Sequence, residues 1–265
     1  MGRSIMAGAL PWFGAEGENA VAITYRVPEV ALAYEMLEGD GPVVVFCPGF
    51  ASDMGGTKAM RLWAWCEAHG QAMLRFDYSG HGQSGGRFID GCIGDWAADA
   101  AHVVGAAAAG REVLLVGSSM GGWIALLLAR EMGARLAAMV LIAPAPDFTE
   151  ELMKGRLNAE QMAELRRDGA IYPPSAYGEP IPMTLKLLED GALHLLLGSE
   201  IDVQCPVRVL HGMRDADVPW ELSVKLAGCL KSEDVRLVFV KHGDHRLSRD
   251  ADLVLLERAV GELLG

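Results

Sequence analysis

The chain lacks any uninterrupted apolar run near the roughly 18 residues of a membrane-spanning helix, so no span is expected. It also lacks a C-x-x-C pair. Its five cysteines, Cys47, Cys66, Cys92, Cys205 and Cys229, are odd in number and widely scattered. That pattern suits buried or idle thiols in a reducing compartment and excludes a disulfide framework. Positive charge is scarce: 23 Lys and Arg against 35 Asp and Glu give a formal net charge of −12. This disfavours non-specific attraction to nucleic acid or anionic lipid. The opening MGRSIMAGALPWFG has no long apolar core and is broken by Pro11 and Gly14, so it does not read as a signal peptide. Gly2 would suit myristoylation, but Met6 stands where Ser or Thr is wanted. A cytoplasmic location is expected. Repeats, low-complexity tracts and heptad runs are all missing, and oligomeric state stays open.

What is present is an apolar chain of 265 residues, 51% hydrophobic and 22% charged, with ample material for a large core. Residues 21–27 and 30–37 read as β-rich segments around Pro28, and VVVFC (43–47) reads as a buried parallel strand. Residues 57–69 have helical periodicity and stop at Gly70. Strands at 72–76, 113–116 and 138–142 then alternate with helices at 93–109 and 120–131. This alternation predicts an α/β fold: a mostly parallel central sheet with helices on both faces. It lapses over 147–204. There a helix at 158–167 is expected, with Asn158 as N-cap and Gln161 three residues on. A Pro/Gly-rich patch (172–182) and an apolar stretch (185–197) follow it. The strand pattern returns at 207–210 and 235–240, with helices from Trp220 and Arg249. Residues 1–146 and 205–265 are therefore read as one core, and 147–204 as an inserted helical lid.

The stretch VGSSMGGW (116–123) contains G-x-S-x-G centred on Ser119, between a predicted strand and a predicted helix. Such a sharp strand-to-helix turn holds its central residue in a strained conformation, and the positions two before and two after must lack bulk. Ser118 fails that requirement because Val116 and Met120 flank it. Ser119 also sits at a helix N-terminus, where unpaired amides favour developing negative charge. The bland alternative is an N-cap serine in a Gly-rich turn. A nucleophile needs a base and an acid as well.

Candidates stand after the late strands, beyond whose carboxyl ends catalytic groups collect. HGMRDADVPW (211–220) offers Asp215 and Asp217, and KHGDHRLS (241–248) offers His242 and His245. Asp215 is taken as the acid; Asp217 is expected to face solvent or cap the next helix. His245 is taken as the base, and His242, nearer the strand end, as a packing or hydrogen-bonding element. In that arrangement the carboxylate orients the imidazole, which takes and returns the serine proton. His242, Asp244 and His245 also spell H-x-D-H, but no further ligand has metal-site spacing. No metal or cofactor is expected.

An oxyanion hole would use the Met120 amide, following the nucleophile, and an amide from CPGFASDMGGTK (47–58), assigned to Phe50. Taken alone, that loop is an ordinary Gly-rich turn. Asp77 and His81 of DYSGHGQS are read as structural, and His69, His102, His194 and His211 as surface or satisfied core residues. Met54, Met183 and Trp220 suit either an acyl pocket or plain core.

PGFASDMGGTKA (48–59), RFDYSGHGQSGG (75–86), VGSSMGGW, HGMRDADVPW and KHGDHR (241–246) together resemble the α/β-hydrolase superfamily. Within it they are similar to the group of palmitoyl-protein thioesterases and acyl-glucuronide esterases around α/β-hydrolase domain-containing protein ten and its bacterial relatives. The resemblance covers roughly residues 40–260, is weakest over the lid, and implies the same Ser119–Asp215–His245 triad and Phe50/Met120 amides. The lid has its own sequence, so the animal substrates do not carry over directly.

The function expected is hydrolysis of a carboxylic ester or thioester, on a small molecule or another acylated substrate. A peptidase or C–C bond hydrolase would use the same triad. A non-catalytic binding protein on the same fold is the contrasting class. Ser119 at the elbow disfavours dehalogenase and epoxide-hydrolase chemistry, which uses a carboxylate there.

Overall fold

Hydrophobic strands flanked by helices on either side assemble as the alternation predicts. The computed structural model describes residues 21–27, 30–173 and 180–265. The readings on the N-terminal stretch, on Pro28 and on most of the Pro/Gly-rich patch fall outside these residues.

Strands β1 (Ala22–Val27), β2 (Val30–Leu37), β3 (Asp40–Cys47) and β4 (Gln71–Phe76) come first, with α1 (Thr57–Ala68) between the last two. Then come α2 (Ile93–Ala107), β5 (Val113–Ser118), α3 (Met120–Met132) and β6 (Leu136–Ile142). The following excursion holds α4 (Ala159–Asp168), the two-residue strands β7 (Ala170–Ile171) and β8 (Met183–Thr184), and α5 (Leu185–Gly191). β9 (Val207–Gly212), α6 (Glu221–Cys229), β10 (Val235–Val240) and α7 (Asp250–Leu264) complete the chain.

Eight strands form one sheet in the order β1-β2-β4-β3-β5-β6-β9-β10. β2 runs antiparallel to both β1 and β4, and every other pairing is parallel. Side-chain alternation explains why the central strands are apolar throughout. Val43, Val45 and Cys47 of β3 enter the core beneath α2, α3 and α6, while Val44 and Phe46 enter the core beneath α1 and α7. Val113 and Leu115 against Leu114 and Val116 repeat this on β5.

Element ends differ from the sequence reading by up to three residues, β3 starting at Asp40 and not Val43. α2 stops at Ala107, and Trp220 and Arg249 precede their helices as N-caps. β5 runs two residues further, to Ser118, so the elbow grows directly from the strand. The apolar stretch 185–197 is helical only to Gly191. Beyond it the chain turns because the Asp147 carboxylate accepts the Leu196 and Leu197 amides, each at 2.8 Å.

That contact joins the two ends of the excursion. Asp147 itself has φ 57°. Inside, α4 has the expected capping box: Asn158 Oδ1 accepts the Gln161 amide at 2.8 Å, and Gln161 Oε1 accepts the Asn158 amide at 3.1 Å. Leu165, Ile171, Met183 and Leu188 form a small core of its own. None of its strands joins the main sheet. Met54 and Met183 are buried, and Trp220 packs edge-to-face on Phe239 at 5.1 Å. All three serve packing and none lines the cavity described below. The five cysteines are free thiols, three of them buried. No helix among the described residues is long and apolar enough to cross a membrane.

Candidate active site

Ser119 occupies the turn between β5 and α3 with φ 54° and ψ −119°. A side chain in this left-handed region is strained by clash with its own backbone. Glycines give that turn its room. A Cβ on Gly117 would overlap the Gly121 carbonyl, and one on Gly121 would lie 2.5 Å from the Pro48 oxygen and closer still to that of Cys47. The turn is closed by the Ser119 amide donating to the Ile142 carbonyl at 2.9 Å.

The acid and base loops are packed together by the same device. A Cβ on Gly212 would overlap the Gly243 carbonyl, which accepts the Arg214 amide at 2.9 Å. This close approach delivers Asp215 and His245 to Ser119. His245 Nε2 lies 3.1 Å from Ser119 Oγ, and His245 Nδ1 donates to Asp215 Oδ2 at 2.7 Å. The Asp215 side chain is fully buried, whereas that of His245 is 18% exposed. Burial pushes the Asp215 carboxyl up, but hydrogen bonds from His211 and His245 and from the Val218 amide outweigh it. They hold it well below the usual carboxylate range.

Asp217 neither faces solvent nor caps α6: it is half-buried in the cavity wall, and its backbone carbonyl accepts Arg156 Nη2 at 2.9 Å. Asp215 takes the turn's amides instead, its Oδ1 accepting Asp217 N and Val218 N at 2.9 Å each. His242 is exposed and has no packing or hydrogen-bonding role among the described residues. Asp244 is occupied by the Leu247 amide at 3.1 Å, so H-x-D-H does not converge. The group whose potential ligand atoms do converge is Asp215, Asp217 and His245, and two of these are hydrogen-bonded to each other.

As first residue of α3, Met120 has an amide with no intrahelical partner. Phe50 follows β3 and lines the same cavity as Ser119 and Met120. Its ring is locked among Phe88, Trp96 and Phe148, at 4.9, 5.9 and 5.7 Å between centroids. Buried Asp77 fixes the loop further on, accepting the Met54 amide at 2.7 Å and the Gln83 amide at 2.8 Å. His81 is buried against Tyr78, Phe88 and Trp96. The structural reading of Asp77 and His81 thus matches their surroundings.

The cavity above Ser119 has a volume of about 540 Å³. Its wall is lined by apolar Phe148, Leu152, Met153, Ile181 and Val218 and by polar Ser52, Asp53, Lys58, Arg156 and Arg246. Burial lowers the Lys58 ammonium to about 8, with Asp244 opposing the shift and Arg246 adding to it. Its Nζ donates to the Arg246 carbonyl at 2.6 Å, tying α1 to the base loop.

Sequence reasoning missed two features. Lys58 and Arg156 reach this wall from positions that no local pattern marks. His211 is fully buried and touches Asp215; its signal was a histidine directly after the strand segment VRVL and directly before Gly212.

Residues 41–175 match a hydrolase family described as serine aminopeptidase, S33. The chain is 36% identical over 256 residues to the rat mitochondrial palmitoyl-protein thioesterase ABHD10, covering 96% of this chain and 86% of that protein. It is 37% identical to the human protein over 235 residues, covering 88% and 76%. Its fold superposes on mouse α/β-hydrolase domain-containing protein 10 with a TM-score of 0.84 at 34% identity, covering 92% of this chain and 98% of that one. A crystal structure from Agrobacterium vitis S4 gives 0.89 at 39% identity, covering 94% and 99%. With its mostly parallel sheet, its helices on both faces and these relatives along nearly its whole length, the chain belongs to the α/β-hydrolase family.

Proposed function

We propose that the protein is a serine hydrolase that cleaves carboxylic esters or thioesters through an acyl-enzyme on Ser119. The observation that carries this reading is the continuous line Ser119 Oγ–His245 Nε2–Asp215 at 3.1 and 2.7 Å, on the floor of a cavity of ligand size. In this mechanism Ser119 Oγ attacks the acyl carbon as His245 Nε2 takes its proton. Asp215 holds the ring and stabilises the imidazolium. The Phe50 and Met120 amides bind the oxygen that becomes negative. Collapse expels the alcohol or thiol, which receives the proton from His245. Water, activated by the same imidazole, then releases the acid and restores Ser119.

The mixed lining suits an acylated substrate: Phe148, Leu152 and Met153 offer apolar surface to an acyl chain, and Lys58, Arg156 and Arg246 offer polar groups. Relatives named as palmitoyl-protein thioesterases favour a long acyl chain and a thioester among the substrates. The test is kcat/KM along a p-nitrophenyl ester series from acetyl to palmitoyl, with the matching acyl thioesters and Ser119→Ala as blank. The expected result is a maximum at medium or long chains and a loss of at least about 10³-fold in Ser119→Ala. Activity of Ser119→Ala within tenfold of wild type overturns the reading. The family description as an aminopeptidase favours one second reading, amide cleavage, tested by replacing the esters with aminoacyl anilides.

A further inference from the structure

The acid of the site is held by a second histidine. His211, at the penultimate position of β9, is fully buried. Its Nε2 lies 3.2 Å from Asp215 Oδ2 and 3.0 Å from the Val218 carbonyl oxygen. A carboxylate and a carbonyl only accept, so Nε2 carries a hydrogen and is shared between them. Its Nδ1 lies 2.7 Å from the hydroxyl of Ser223, a fully buried residue of α6. The Ser223 hydroxyl donates to Nδ1 and so fixes which ring nitrogen holds the hydrogen. Oδ2 of Asp215 therefore serves two imidazoles, His245 at 2.7 Å and His211 at 3.2 Å, while Oδ1 takes two backbone amides.

We propose that His211, fixed by Ser223, is a positioning residue that holds Asp215 for His245 and limits how much of the carboxylate's charge His245 receives. This rests on the reading of Asp215 and His245 as acid and base. The physical argument has two parts. First, an unanchored carboxylate rotates about its last bond; three N–H groups, one from His211 on β9 and two from the Asp217–Val218 turn, remove that freedom before substrate arrives. Second, a hydrogen bond donated to Oδ2 stabilises its charge and weakens its pull on the His245 ring. Removing the donor leaves Oδ2 to His245 alone and stabilises the imidazolium. Among the described residues, the other charged side chains lining the cavity with His245 are Asp53, Asp217 of the acid loop, Arg246 of the base loop, Lys58 of α1 and Arg156 of the excursion. All of them stay in place when only His211 changes.

The experiment compares wild type, His211→Phe, His211→Gln and Ser223→Ala by NMR titration of the His245 ring, with kcat and KM measured alongside on one ester. The expected result for His211→Phe is a His245 midpoint about one pH unit higher and kcat about 10–100-fold lower, with KM within about threefold. Gln supplies an amide donor at the same reach, so its midpoint stays near wild type; Ser223→Ala shifts it upward by less than Phe does. A His245 midpoint unmoved in folded His211→Phe and Ser223→Ala overturns the proposal and leaves His211 as core packing. If His211→Phe does not fold, the Ser223→Ala titration decides by the same criterion. A wild type that hydrolyses no ester, and whose Ser119 resists a fluorophosphonate, overturns the functional reading instead, and the titration still decides the role of His211.

Discussion

The Cα of Gly121 rests against the Cys47 carbonyl so closely that no side chain fits between α3 and the end of β3. The contact seats the helix that follows Ser119 on the loop that carries Phe50, so one glycine sets the spacing of Ser119 and the Phe50 and Met120 amides.

Gly121→Ala is accordingly expected to displace α3 or the 47–50 backbone, because both partners are main chain and neither can swing away. The cost should be at least the 1–3 kcal/mol typical of overpacking, and hydrolysis should fall by about 10²-fold or more. Urea denaturation and the rate of fluorophosphonate labelling of Ser119 measure the two effects. Labelling at the wild-type rate would contradict this reading of the elbow.

Asp215→Asn keeps the shape of the acid but offers an amide to two imidazole N–H groups. His245 should lose its productive tautomer, and kcat should drop by about 10⁴-fold with little change in KM. In wild type, burial raises the Asp215 carboxyl and hydrogen bonds from His211 and His245 more than reverse this, so its folded value lies below its unfolded one. Its stabilising contribution is therefore present above the ordinary carboxylate range and is lost as pH falls below it. Acid denaturation of Asp215→Asn should begin no earlier than that of wild type, relative to each protein's neutral stability. A steeper acid loss in the variant would contradict the assignment.

Asp147 closes the excursion by accepting two buried amides. Asp147→Ala strands both, at a cost of about 2–4 kcal/mol if no water replaces them. Local opening should outpace global unfolding, since the excursion adds no strand to the sheet. Limited proteolysis should cut first between 147 and 204, and KM for long esters should rise more than for short ones. Uniform protection across the chain would show that other contacts suffice.

Lys58 costs stability where Asp215 contributes it, yet its lowered value likewise makes stability rise with pH, here at the alkaline end. Burial lowers it to about 8 from the ordinary 10.5, so the folded protein releases this proton first. Stability should then rise from about pH 8 toward 10.5 through this group and be lower below that window. Lys58→Met removes the trend and should be the more stable protein near neutrality by about 1–2 kcal/mol, even after losing the bond to the Arg246 carbonyl. Urea midpoints of both proteins between pH 7 and 10 read this directly. Parallel curves would place the Lys58 ammonium in water.

Much of the site was legible along the chain because its requirements are local. Ser119 is marked by two glycines whose spacing is a property of the turn, and Asp215 and His245 by their place after apolar strands. Between the two acids, the choice of Asp215 agrees with the geometry, but the fate of Asp217 does not. Whether an aspartate two residues on meets solvent or a cavity depends on Arg156, 61 residues away in sequence. His242 is a similar case: position near a strand end says nothing about which side the loop leaves on.

The sequence by itself determined the strand–helix alternation, the sheet's parallel core and the elbow, since these follow from side-chain periodicity and backbone sterics that act over a few residues. Tertiary structure alone decided the rest. The pairing of His211 with Asp215 needs β9, the acid turn and α6 to converge. The mixed apolar and polar lining of the cavity needs α1, the excursion and two late loops in one place. Met54 and Met183 went to buried positions and Trp220 to a half-buried contact with Phe239, and none to the cavity, because burial is settled by which elements pack together. That outcome is a sum over distant contacts which no local pattern of residues encodes.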